Sequence, residues 1–254
     1  MEVLHDLVGY QNLKIYQNSD WFTFSLDSVL LSNFVTIQPR YRKILDLGTG
    51  NAPIPLILST RTKASIVGVE IQNDIYDLAQ KTIQYNHLDH QVQLLHCDMK
   101  DLKQMFSSDT FDVIVSNPPY FKYHSEHIVN ENIHKTIARH EVMITLEELL
   151  RLTRYLLKND GVFAMVHRTE RMVEILDLFR KYGLEPKKIQ FIYPKVGKDS
   201  DLFLIEGRKN GKLGLKILSP IYVHQEDGSY TDVILRQLER SDRYESEKLS
   251  DESK

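Results

Sequence analysis

The chain has 254 residues, 42% of them hydrophobic, and a formal net charge of −3. That apolar content suffices for one large α/β domain or a domain with a small appendage; no run approaches the length of a membrane span. The acidic start Met1-Glu2-Val3-Leu4-His5-Asp6 lacks a signal-peptide apolar stretch, and Cys97 is the only cysteine, so an intrachain disulfide is excluded and a cytoplasmic location is expected.

Residues 21–31 pass from an aromatic, strand-like stretch into a helix, with Ser25 as its N-cap and Leu26, Val29, Leu30 and Phe34 along one face. Residues 44–47 read as a buried strand, followed by a helix over about 52–60. A second strand over 65–70 leads to a helix over 73–87 that puts Ile75, Leu78, Ala79 and Ile83 on one face. Residues 92–95 and 113–116 are the third and fourth strands. A leucine-rich helix over 145–158 closes at Asp160-Gly161 before a strand over 162–166, and a helix over 168–182 stops at Gly183. This βαβα alternation implies a mainly parallel sheet with helices on both faces. Residues 189–193, 202–207 and 215–218 then follow with no helix between them, which implies antiparallel strands at one end of the sheet. Residues 240–254 are charged and poor in apolar side chains, and are expected to fray.

The charge is unevenly spread. Residues 151–216 hold 15 Lys/Arg against 8 Asp/Glu, whereas 1–150 hold 12 against 18 and 217–254 hold 5 against 9. A basic segment in an acidic chain permits a localised phosphate-binding face.

Four short motifs stand at the ends of the first four strands. Asp46-Leu47-Gly48-Thr49-Gly50-Asn51 lets the backbone approach a ligand closely at the carboxyl edge of the sheet. A dinucleotide fingerprint would want a small residue where Pro53 stands, and an acid before the first glycine suits a ligand with a positive centre better than a pyrophosphate. Glu70 can accept the hydroxyls of a ribose. Asp98 reads either as a helix N-cap or as a contact to an adenine amino group, with Met99 or Ile71 packed on the ring. Asn117-Pro118-Pro119-Tyr120 is a stiff turn with convergent acceptors: the Asn117 amide oxygen and the Pro118 carbonyl can both accept from one –NH₂ group, and Tyr120 offers a ring face.

In this order, across roughly residues 43–120, the four motifs resemble the class I S-adenosylmethionine-dependent methyltransferases, with Asn-Pro-Pro-Tyr the form found in amino-methylating members. The flanks (residues 22–31, 46–55, Asn117 to Phe121 and Ala138-Arg139-His140-Glu141) look like the bacterial tRNA(Val) adenine-N6 methyltransferases. The resemblance implies a Rossmann-like α/β fold, a seven-stranded mostly parallel sheet with an antiparallel C-terminal strand pair. It implies an N-terminal extension over 1–40, a methyltransferase domain over 41–224 and a charged tail over 225–254. S-adenosyl-L-methionine would be held by Asp46, Gly48, Gly50, Asn51, Glu70, Ile71, Asp98, Met99 and Asn117. Asn117, Pro118 and Tyr120 would be catalytic, and Phe121 would join Tyr120 in stacking on the base; Arg139, Arg168 and Arg171 are candidates for RNA contact, with an ordinary surface role the stronger alternative. The expected partner is RNA, tRNA first, with no membrane and no obligate protein partner.

His124, His127, His134 and His140 invite a metal reading, but no cysteine or carboxylate accompanies them in a known ligand geometry, and no metal is expected. The polar stretch 122–139 is expected to form a loop over the substrate mouth. Rival readings are guanine-N2 methylation of ribosomal RNA, methylation of protein glutamine, an NAD-dependent oxidoreductase and a non-catalytic RNA-binding protein. The oxidoreductase would explain Gly48, Gly50 and Glu70 but not Asn117 to Tyr120.

Overall fold

The computed structural model describes residues 1–7, 10–18, 26–118, 120 and 144–238. Two layers of helices enclose a sheet that, among these residues, has nine strands. Its centre is β3 (Lys43–Leu47), flanked by β4 (Ser65–Glu70) and β5 (Val92–His96) on one side and by β6 (Phe111–Ser116) and β7 (Leu157–Arg168) on the other, all parallel. β9 (Leu202–Lys209) is inserted antiparallel between β7 and β8 (Leu184–Lys195). These seven strands give the expected mostly parallel sheet with its antiparallel C-terminal pair.

The central strands are continuously apolar because each residue has a core to face. Ile44, Ile66, Val113, Val162 and Ala164 enter one hydrophobic cluster, while their chain neighbours Leu45, Val67, Ile114, Phe163 and Met165 enter the other. The first cluster is completed by α1 (Leu26–Phe34), α2 (Pro53–Ser59) and α3 (Asn73–Tyr85), the second by α4 (Leu102–Met105), α5 (Leu146–Leu156) and α6 (Met172–Lys181). The Thr145 hydroxyl accepts from the Glu148 backbone N–H and the Glu148 carboxylate accepts from the Thr145 N–H, a capping box that starts α5. Lys158, read as the end of that helix, already lies in β7.

One expected strand direction is corrected. β10 (Lys216–Ile217) runs parallel to β8, not antiparallel within the terminal set. β9 already has β7 and β8 on its two edges, so the returning chain must use the outer edge of β8, where reversal from β9 makes it parallel. β11 (Ile221–His224) pairs further along the same edge. The sequence reading also passed over a hairpin, β1 (Glu2–Leu7) with β2 (Tyr10–Asn18), whose strands carry more polar than apolar residues. Side chains of α3 hold it: Asn86 accepts from the Lys14 N–H and donates to the Lys14 carbonyl, and Thr82 accepts from the Tyr16 N–H. Within the stretch read as a tail, Asp232–Leu238 forms α7, which buries Ile234 and Leu238 beside α1. The described residues include no helix long and apolar enough to cross a membrane.

Candidate active site

The chain leaves β3, builds β4 and β5 to one side, then crosses to place β6 on the other. The crevice between the carboxyl ends of β3 and β6 is therefore a topological switch point, where open α/β sheets bind ligands. Asp46 and the glycine loop stand on one lip, Asn117 and Pro118 on the other, and Glu70 closes the β4 side.

Gly48 and Gly50 both have positive φ, 76° and 57°, so the loop can fold back until the Gly48 and Thr49 N–H groups donate to the Val69 carbonyl. Gly68 completes this packing: a Cβ there would stand 2.8 Å from the Thr49 hydroxyl. That hydroxyl donates to Asp46 Oδ2 at 2.7 Å, while Asp46 Oδ1 is buried with no hydrogen-bond partner among the described residues. Burial, with the Glu70 charge adding to it, raises the Asp46 carboxyl to about 7 despite the Thr49 bond. Glu70 Oε1 accepts from the Ile71 and Gln72 N–H groups and Oε2 from the Gly50 N–H, and burial raises this carboxyl too. These three backbone donors fix the carboxylate with Oε2 taking only the Gly50 N–H among the described residues, which leaves it acceptor capacity for a ligand.

The expected residues divide on inspection. Asn51 turns away, its amide donating to the Tyr16 carbonyl at 2.8 Å and tying the glycine loop to β2. Asp98 caps the turn Met99–Asp101 by accepting from the Lys100 N–H, and Met99 reaches back so that a Cβ on Gly48 would lie 3.9 Å from its methyl. The Ile71 carbonyl meets His96 Nε2 at 3.1 Å. Arg168 ends β7 beside the site. Arg171 does not present itself to a ligand: it is buried and forms a bidentate pair with Glu174, both contacts 3.0 Å. Pro119, Phe121, Arg139 and the four histidines at 124, 127, 134 and 140 lie outside the described residues, as do Phe22, Phe24, Ser25, the 122–139 stretch and 240–254.

The Tyr120 side chain is more engaged than a stacking platform. Its hydroxyl lies 2.7 Å from Asp27 Oδ2 and 2.8 Å from Asn117 Oδ1; one phenolic proton can serve only one acceptor at a time. Burial and the Asp27 carboxylate push this phenol well above its ordinary pKa, so it stays protonated. The Asn117 amide nitrogen lies 3.3 Å from the Ser28 hydroxyl. Asp27 and Ser28, on the first turn of α1, thus hold the motif from across the sheet, and neither had been singled out. His167 had also been missed. It is fully buried at the end of β7, and its ring centroid lies 5.5 Å from that of Tyr120. Only its place in a strand running toward the motif could have drawn attention to it.

The family described as methyltransferase small domain matches residues 25–191. Curated relatives include the tRNA1(Val) (adenine(37)-N6)-methyltransferase of Bacteroides thetaiotaomicron, 29% identical over 82% of this chain and 86% of its own length. That of Phocaeicola vulgatus is 27% identical over 78% of this chain and 81% of its own. Among solved structures, a predicted O-methyltransferase from Agrobacterium tumefaciens shares the fold with a TM-score of 0.65 at 18% identity, covering 85% of this chain and 96% of that one.

Proposed function

The chain belongs to the methyltransferase small-domain family, and from that premise we propose that it transfers a methyl group from S-adenosyl-L-methionine to adenine N6 in RNA, specifically an anticodon-loop adenine of tRNA(Val). The observation that carries this reading is the crevice itself, with a buried carboxylate oxygen lacking a partner on one lip and an amide–carbonyl acceptor pair on the other. A nucleoside with a cationic centre fits the first lip. Asp46 Oδ1 would face that charge, Gly50 has open space on its Cα, and Glu70 and Asp98 offer oxygens for a hydroxyl and an amino group. When bound, this cofactor supplies a methyl group on a sulfonium, a good leaving group.

The chain's own residues then orient the acceptor. Asn117 Oδ1 and the Pro118 carbonyl take the two N–H bonds of the exocyclic amine and aim its lone pair. Accepting a methyl group would place positive charge on that nitrogen. Its N–H bonds become stronger donors until one proton leaves to solvent, so the two oxygens stabilise the transition state more than the ground state. In the free chain the Tyr120 hydroxyl stands 2.8 Å from Asn117 Oδ1 and shares its one proton with Asp27, so the amide oxygen keeps a lone pair for the amine.

The same reading takes residues 41–224 as the methyl-transfer domain, tRNA as the partner and the cytoplasm as the location. Support for tRNA comes from the relatives' names, and Arg168 beside the crevice suits a phosphate. The test is incubation of total tRNA and rRNA from a deletion strain with the protein and methyl-labelled cofactor, followed by nucleoside analysis. Labelled N6-methyladenosine in tRNA is expected; label only in N2-methylguanosine or in protein would overturn the reading.

A further inference from the structure

Among the described residues at this crevice, His167 carries a hydrogen-bonding capacity that the motif lacks. It lies two residues beyond Met165, which pairs with Ser116 of β6, so β7 carries it up alongside the turn that holds Asn117 and Pro118. The Arg168 backbone N–H donates to His167 Nδ1 at 2.8 Å. A ring nitrogen that accepts carries no proton, so the neutral imidazole holds its proton on Nε2. Burial, with the Arg171 charge nearby, lowers the pKa to about 3, so the ring is neutral throughout the working range. Nε2 is buried and has no hydrogen-bond partner among the described residues. An unsatisfied buried N–H costs about 1–3 kcal/mol, and a phenylalanine or leucine would fill the space without that cost.

The groups assigned to the target amine are all acceptors: Asn117 Oδ1 and the Pro118 carbonyl, with the Asp27 carboxylate behind them. Acceptors can hold an –NH₂ group but make no contact with the ring nitrogens. An adenine also carries ring-nitrogen acceptors near that amine, N1 on one side and N7 on the other, and these require a donor. The Tyr120 ring links the two requirements. Its hydroxyl lies 2.8 Å from Asn117 Oδ1 and its ring centroid 5.5 Å from that of His167, so one side chain stands against both the acceptor and the donor-bearing ring.

We propose that His167 is a base-reading residue whose Nε2–H donates to a ring nitrogen of the target adenine, fixing the base's rotation while Asn117 and Pro118 hold its amine. This rests on the adenine-methylation reading. It is tested with anticodon stem-loops carrying adenine, 1-deazaadenine or 7-deazaadenine at the target position, and with wild-type protein, His167→Phe and His167→Gln. The glutamine keeps an N–H near the position of Nε2.

On adenine, His167→Phe should lower kcat/KM by about ten- to hundredfold, as expected for an unpaired polar group at a binding site, with His167→Gln recovering part of the loss and cofactor affinity by calorimetry unchanged. Wild-type protein should lose a similar factor on one of the two deaza substrates, and on that substrate His167→Phe should cost little more. Which analogue is affected identifies N1 or N7. Equal turnover of all three substrates by wild-type protein would overturn the inference even if His167→Phe failed to fold, as would an equal loss by His167→Phe on all three. Failure of wild-type protein to methylate any adenine stem-loop would instead bring down the underlying reading, and this inference with it.

Discussion

Asn117 is held by Tyr120 at its oxygen and lies close to Ser28 at its nitrogen, so its amide is oriented before substrate arrives. Asn117→Ala should therefore cut methylation by at least about a hundredfold, the scale of losing a preorganised transition-state contact, while calorimetry shows cofactor binding largely retained. Asp46 makes the opposite case, acting through the cofactor. Its pKa is raised from 3.8 to about 7, chiefly by burial, and only the ionised form attracts a cation. Cofactor affinity should thus rise with pH up to about 7 and level off above it. Below that it should weaken toward roughly tenfold per pH unit, and Asp46→Asn should bind weakly with little pH dependence. For folding the sign reverses. The folded state holds this proton more tightly than the unfolded one, so the group's contribution to stability falls as pH rises from 3.8 toward 7.

At the scale of elements, the leucine-rich pattern over 145–158 marked a helix, and the structure supplies a buried face and a cap that the pattern had not named. α5 has both, with Thr145 as cap and Leu146, Leu149, Leu150 and Leu156 buried. Thr145→Ala should cost about 1 kcal/mol and lower Tm by roughly 2–4 °C in a thermal melt, with little change in cofactor affinity. The β1–β2 hairpin shows where such signals end. Its strands have no strong alternation and are fixed by Asn86 and Thr82, some seventy residues away in sequence. The Asn51 amide donates to the same hairpin, so this residue also braces the glycine loop against β2.

For the whole molecule, charge counted along the chain proved a poor map of charge at the surface. Of the basic residues in 151–216, Lys158, Arg171, Lys181, Lys188, Arg208 and Lys209 form ion pairs with Asp112, Glu174, Glu147, Glu206, Asp160 and Asp109. Packing at the end of the chain reaches the site in a similarly indirect way. α7 buries Ile234 against the first core, and Asn33 of α1 donates to the Gln237 carbonyl, so α7 backs the helix that carries Asp27 and Ser28. Ile234→Ala should cost about 2–5 kcal/mol by chemical denaturation and depress turnover through α1. By itself the sequence determined a mainly parallel sheet, the succession of its central strands along the chain and the acids, glycines and Asn-Pro-Pro-Tyr at their ends, because apolar patterning and backbone-restricting residues act locally. Only the tertiary structure decided that Asp27 and Ser28 grip Asn117 and Tyr120, that Arg171 is paired inside, and that His167 has a spare donor beside Tyr120. Those facts depend on which distant side chains share a hydrogen bond, and spacing along a chain does not encode that.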